Sequence, residues 1–201
     1  MPQPDFDDGF PNAEQITVGR LDLPTGRIVA CDPFFCADAQ CFSRSVAPGT
    51  YDVNVVRVAS PEWGVRIALA RLQIMPGVVA ARYETATRGI GDSGLFYIHS
   101  GIASYMDEET RVEFGDVLKR YYETHPGGNY YTDILEAEFK RSAIDRDDPF
   151  DVGQWNLHRP GGSTQRVAMF SSGLGDGGYT SSWGLSGSGE VVSLVTEFGL
   201  R

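Results

Sequence analysis

The 201-residue chain is short of basic residues. Seventeen Lys and Arg stand against 27 Asp and Glu, giving a formal net charge of -10 and a sequence pI near 4.7. That balance repels phosphate backbones and anionic lipid, so neither nucleic acid nor membrane is an expected partner. Long apolar runs are missing as well: nothing approaches the roughly 20 residues needed to span a bilayer. The start, MPQPDFDDGFPNAEQ, lacks the basic head and apolar run of a signal peptide, and a cytoplasmic location is expected. Cysteine is scarce too. Cys31, Cys36 and Cys41 are odd in number, so they cannot all pair within the chain and fit a reducing compartment. Their even spacing contains no C-x-x-C unit and predicts no zinc set. With 41% hydrophobic and 22% charged residues, what remains is an ordinary globular composition with enough chain for one full core.

Residues 1–14 mix Pro, Asp, Asn and Gly without periodicity and read as a flexible arm, with a single domain over 15–201. QITVGRLDL and RIVAC are β-prone runs separated by PTG, predicting an early hairpin or a bent strand pair. TYDVNVVRVA and VRIALARLQIM follow. In the second, the phase set by Val65, Ile67 and Leu69 shifts at Leu72 and Ile74, as a bulge would do. VVAARYETA reads as the next strand of a meander. DEETRVEFGDVLKRYYETH has acids first and bases last, with Val117, Leu118, Tyr121 and Tyr122 at helical spacing, and PGG stops it. YTDILEAEFKRSAI reads as a second helix. QWNLHR, QRVAMFS, YTSSWGLS and EVVSLVTEF are four closing strand candidates. Strands, then helices, then strands predict an α+β fold, a mostly antiparallel sheet with two helices inserted in the middle of the chain.

Several motifs fail on context. GLGDGG satisfies G-x-G-x-x-G through Gly173, Gly175 and Gly178, but the β-prone YTSSWG follows where a dinucleotide site needs a helix. GDSG echoes a protease nucleophile loop, yet all three histidines follow Ser93, against that family's order. DRDDPFD lacks the central glycine and final glutamate of a calcium loop. The histidines are scattered singly and carry no signal.

LPTGRIVACDP (23–33), DSG (92–94) with MD (106–107), SSGLGDGGYTSSWG (171–184) and LVTEFG (194–199), set in order, carry a family resemblance. The chain resembles the mostly bacterial family catalogued as domain of unknown function 4241, over about residues 17–200. In that family a proline often follows the loop tyrosine, whereas Thr180 stands here. The resemblance supplies no activity, and it implies that Asp32, Asp92, Asp107 and Asp176 match acidic motif positions.

Two functional expectations follow. In the first, the four aspartates are catalytic and converge on a cation, Mg2+ or Ca2+, held by Asp32 and Asp176; the site hydrolyses a small polar or phosphorylated substrate. Thr25 and Arg27 then contact an anion, and Gly175, Gly177, Tyr179 and Trp183 face the ligand. In the second, the chain is a non-enzymatic acidic module, such as an immunity-type protein that binds a basic protein. Beside both stands a plain reading of the acids: Asp32 makes an Asx turn, Asp107 caps the first helix, and Asp176 sits in a tight turn.

Overall fold

The computed structural model describes residues 13–148 and 151–200, so the expected arm lies almost wholly outside the described residues. Eleven described strands run in chain order: β1 Glu14–Leu23, β2 Ile28–Cys31, β3 Gly49–Ser60, β4 Gly64–Gln73, β5 Arg82–Thr85, β6 Leu95–Ile98, β7 Ile102–Asp107, β8 Trp155–His158, β9 Val167–Ser171, β10 Gly177–Leu185 and β11 Val191–Glu197. The helical part lies mid-chain. It comprises α1, Glu108–Thr124, then a π-helical turn Tyr131–Leu135 running into α2, Glu136–Phe139, and a short 3-10 turn Lys140–Ser142.

The strands form two antiparallel sheets. The larger is ordered β1-β3-β4-β11-β10-β5, with β6 also paired to β10; the smaller is β2-β7-β9-β8. The α+β class and the antiparallel pairing expected from the strand-helix-strand order are therefore observed. The early pair is corrected: β1 pairs with β3 while β2 pairs with β7, so PTG joins the two sheets and closes no hairpin. β5 is likewise no continuation of a meander, because it pairs with β10. The bulge in β4 is present at Ala68, since Val56 opposes Leu69 and Arg57 opposes Ile67. Ala68 and Leu69 both fall into the outer apolar cluster, while Ile67, Ala70 and Leu72 face the inter-sheet core.

Three layers result. The inner face of the large sheet packs through Leu21, Val53, Ile67 and Leu194 against Ala30, Tyr105, Ala168 and Phe170 of the small one. Tyr105 ties the layers with its hydroxyl, donating to Ala70 O at 3.2 Å and meeting Thr196 Oγ1 at 2.6 Å; a buried tyrosine needs such a partner. The far face of the small sheet packs through Val29, Met106, Val167 and Met169 against Phe114, Leu118 and Phe139 of the helical layer. Strand β7 is thus buried on both faces. Among the described residues no helix is long and apolar enough to cross a membrane.

Candidate functional site

Of the four places where the described chain passes from one sheet to the other, two lie side by side, and the glycine-rich motif is one of them. The first crossing is the turn from β6 to β7. It is held by Asp32, which leaves β2 just before Pro33 and caps the 3-10 helix Pro33–Asp38. Asp32 Oδ1 accepts from Phe34 N at 3.0 Å, and Oδ2 accepts from His99 N and Ser100 N at 2.9 Å each. The carboxylate, 1% exposed, is thereby matched to three backbone donors.

The second crossing is the loop from β9 to β10. Ser172 N donates to Gly101 O at 3.0 Å, Gly175 N to Ser172 O at 3.0 Å, and Ser172 Oγ to Gly175 O at 2.8 Å. The Tyr179 hydroxyl reaches back to Ser172 O at 3.0 Å and Gly175 O at 2.7 Å, and its ring packs edge-on against Phe198. Gly173 has φ +61°, and a Cβ there would lie 2.7 Å from Phe198 O, so glycine is required at that close approach. The stretch is a pinned corner, and its tyrosine hydroxyl is occupied in closing it.

The remaining expected residues spread over the molecule. Asp107 caps α1 through Glu109 N at 3.0 Å and fastens the PTG turn, accepting from Thr25 N at 3.1 Å and Thr25 Oγ1 at 2.8 Å. It pairs with Ile28, at the opposite end of the β2–β7 ladder from Asp32, roughly 14 Å away at the rise of a strand. Arg27 forms an ion pair with Glu108 at 2.5 Å and donates to Cys41 Sγ at 3.2 Å. Asp92 holds its own turn, accepting from Arg88 N at 2.7 Å and pairing with the Arg88 guanidinium at 3.2 Å. The Arg88 N–H bond, foremost, holds this carboxyl below the usual carboxylate range. Asp176 is exposed between Gly175 and Gly177. Trp183 is 2% exposed, its ring edge-on to Phe42 in the core, which corrects its expected place at a ligand. The four aspartates do not converge. No group of three or more His, Cys, Asp or Glu side chains that could hold a metal ion occurs among the described residues.

What does converge at the two crossings is a cleft with two lobes. The first encloses about 620 Å³ between Phe34, Ser100, Tyr122, Asn129, Tyr131 and Phe139, with no charged residue among its described lining. Asn129 Oδ1 accepts from Tyr131 N at 2.9 Å, which fixes the start of the π-helical turn at the cleft wall. The second lobe, about 460 Å³, shares Gly101, Val152, Gly153 and Ser171 with the first and extends past Gly173–Gly175 to Arg66 and Asp151. Burial alone would raise the Asp151 carboxyl, but N–H groups of Asp145, Gly153 and Ile144 outweigh it and hold the group low.

A family model described as a protein of unknown function, DUF4241, matches residues 21–196. The chain belongs to the DUF4241 family. No match was found among curated proteins or among solved structures. In this DUF4241 chain, the acids at Asp32 and Asp107 and the glycine motif all lie where the backbone turns between layers.

One polar cluster escaped the sequence reading. His158 Nδ1 lies 3.0 Å from Glu138 Oε2 and its Nε2 lies 2.9 Å from the Tyr130 hydroxyl, while Asn156 Nδ2 donates to the same Glu138 oxygen at 2.7 Å. In the neutral tautomer Nδ1–H donates to Glu138 and Nε2 accepts from Tyr130, so both ring nitrogens are satisfied. Desolvation pushes the imidazole below its ordinary range despite Glu138, and raises the Tyr130 phenol to about 12. These four residues fasten the helical segment to β8. Its signal was Asn156 and His158, two polar residues at i and i+2 on one strand face, whose partner stands 20 residues earlier.

Proposed function

We propose that this DUF4241 domain is a binding module whose ligand is a small, uncharged, partly aromatic molecule seated in the first lobe of the cleft. The observation that carries the reading is the lobe itself. About 620 Å³ falls within the range of ligand sites, and its walls combine four aromatic rings with a few polar groups, Ser100 and Asn129 among them. Metal-assisted hydrolysis of a small polar or phosphorylated substrate needs carboxylate oxygens that face a cation. Asp32, Asp92 and Asp107 have theirs turned onto N–H and O–H donors, and Asp176 stands by itself at the surface. Binding therefore ranks above hydrolysis.

The test is a nuclear magnetic resonance screen of neutral aromatic fragments against the wild-type chain and Tyr131→Ala. Hits are expected to perturb Ser100, Ile102 and Asn129 together and to weaken in the variant. Hits that cluster elsewhere, or bind both proteins alike, would overturn the assignment. A second reading, an acidic module for a basic protein, is favoured by the net charge of -10. It predicts that association with such a partner weakens steeply with salt.

A further inference from the structure

Away from the cleft, on the outer side of the β6 turn, aromatic rings stand out into solvent. Phe35 is 62% exposed and Tyr97 61% exposed. Isolated apolar residues at a surface need no explanation, but these two are organised. Both are held by one imidazole: His99 stacks on Tyr97 at 6.3 Å and 20°, and meets Phe35 edge-on at 5.6 Å. The backbone beneath is fixed, because Asp32 holds His99 N and caps the helix that carries Phe35. Between the two rings lies a depression of about 300 Å³ whose described lining also includes Asp32, Asp38, Gln40 and Arg88.

The charges around it have one sign left over. Arg88 is paired with Asp92, donates to Leu95 O at 3.3 Å and lies over the Phe42 ring. Asp38 is exposed, and its carboxylate has no hydrogen bond or ion pair among the described residues. The Asp38 charge is thus not offset by Arg88, while the buried Asp32 carboxylate is taken up by its three backbone donors. An anion would be repelled by Asp38, and a neutral ligand would leave Asp38 unmatched. A cation meets two aromatic side chains and a carboxylate together, the combination that recognises ammonium and guanidinium groups.

We propose that the Phe35–Tyr97 depression is a binding site for an organic cation, an ammonium or guanidinium group carried by a free small molecule or by a Lys or Arg side chain. The site does not depend on the cleft being occupied.

The experiment titrates the full chain with choline, with its neutral isostere 3,3-dimethylbutan-1-ol, and with a short arginine-containing peptide, following the Tyr97 and Phe35 ring resonances. Choline is expected to perturb both rings and to bind about 5- to 30-fold more tightly than the isostere. Tyr97→Leu and Asp38→Asn should each weaken choline while leaving the melting temperature unchanged, since both side chains are exposed. Tighter binding of the peptide than of choline assigns the site to a protein side chain, and the reverse order assigns it to a free cation. Equal binding of choline and the isostere, or resonance changes that bypass Tyr97 and Phe35, would overturn the proposal. Fragment binding in the cleft is read on different residues, so the two sites fail or succeed separately.

Discussion

Replacing Asp32 by alanine tests whether the acids of this family motif build the corner. The carboxylate is buried and accepts three backbone N–H groups, those of Phe34, His99 and Ser100. Loss of the helix cap costs about 0.5–2 kcal/mol. Each of the two turn N–H groups left without an acceptor costs about 1–3 kcal/mol when buried. His99 and Ser100 are themselves exposed, so water can partly replace the lost acceptor, and the sum falls to about 3 kcal/mol. For a chain of this length that lowers the melting temperature by roughly 6–12 °C. Asp32→Asn keeps one carbonyl oxygen for two of the donors and should lose about half as much. Asp176→Asn, at an exposed carboxylate, should change stability by no more than about 0.5 kcal/mol. The assay is a thermal melt followed by circular dichroism, with all three variants at one pH and salt concentration. An Asp32→Ala protein that melts within about 2 °C of wild type would refute the account of Asp32 as the staple between the sheets.

Three further outcomes follow from the same geometry. Because no three carboxylates gather around a common point among the described residues, EDTA, Mg2+ and Ca2+ should leave the melting temperature unchanged; a cation at 100 times its dissociation constant would instead add about 2.7 kcal/mol, and such a gain would restore the metal reading. Native His158 resists protonation, so its contribution to stability is full above the unfolded histidine value near 6.5 and is lost as pH falls below it. The slope reaches about 1.4 kcal/mol per pH unit for one proton, and denaturant melts of His158→Gln between pH 8 and 5 should lose that slope. Desolvation raises the buried thiol of Cys36 to about 11 and also pushes up that of Cys31, whereas Cys41 is half-buried beside Arg27. A thiol reagent at pH 8 should therefore label Cys41 in the native protein and the other two only on unfolding; equal labelling of all three would contradict the burial.

The class of the fold was legible because local periodicity and turn chemistry agree along most of the chain. β4, β10 and β11 show their runs openly, and α1 shows its acids, its stripe and its stop. What stayed hidden was pairing. RIVAC and QITVGRLDL are adjacent in sequence and equally β-prone, yet Gly26 at φ +70°, with Val46 O only 2.0 Å from where its Cβ would be, turns the chain into the other sheet. Strand β7 was missed because burial on both faces removes the alternation that marks a half-exposed strand. The second predicted helix became a π-helical turn and one turn of α2, a local geometry that no spacing of Ile134 and Leu135 announces. The cleft was illegible for the same reason as His158: its walls come from segments near residues 34, 100, 130 and 171, and only the sheet order brings them together.

The acids and glycines of the motif carry a more general point about this fold. A chain that crosses between two packed sheets must turn sharply, and at that point backbone N–H groups lose their ladder partners. A short acidic side chain supplies several acceptor sites at once, and glycine allows the close approach, so Asp and Gly collect at the crossings for structural reasons. The same crossings leave space, because two layers that diverge at a corner cannot fill it with side chains from either. Ser100–Ile102 line the first lobe and Gly173–Gly175 the second, directly beside the corners that Asp32 and Tyr179 close. The motif thus builds the corners beside the site and contributes Ser171 to the wall of the first lobe. Substituting Asp32 should change ligand affinity only through the position of Ser100, whereas Tyr131 or Asn129 should change it by direct contact.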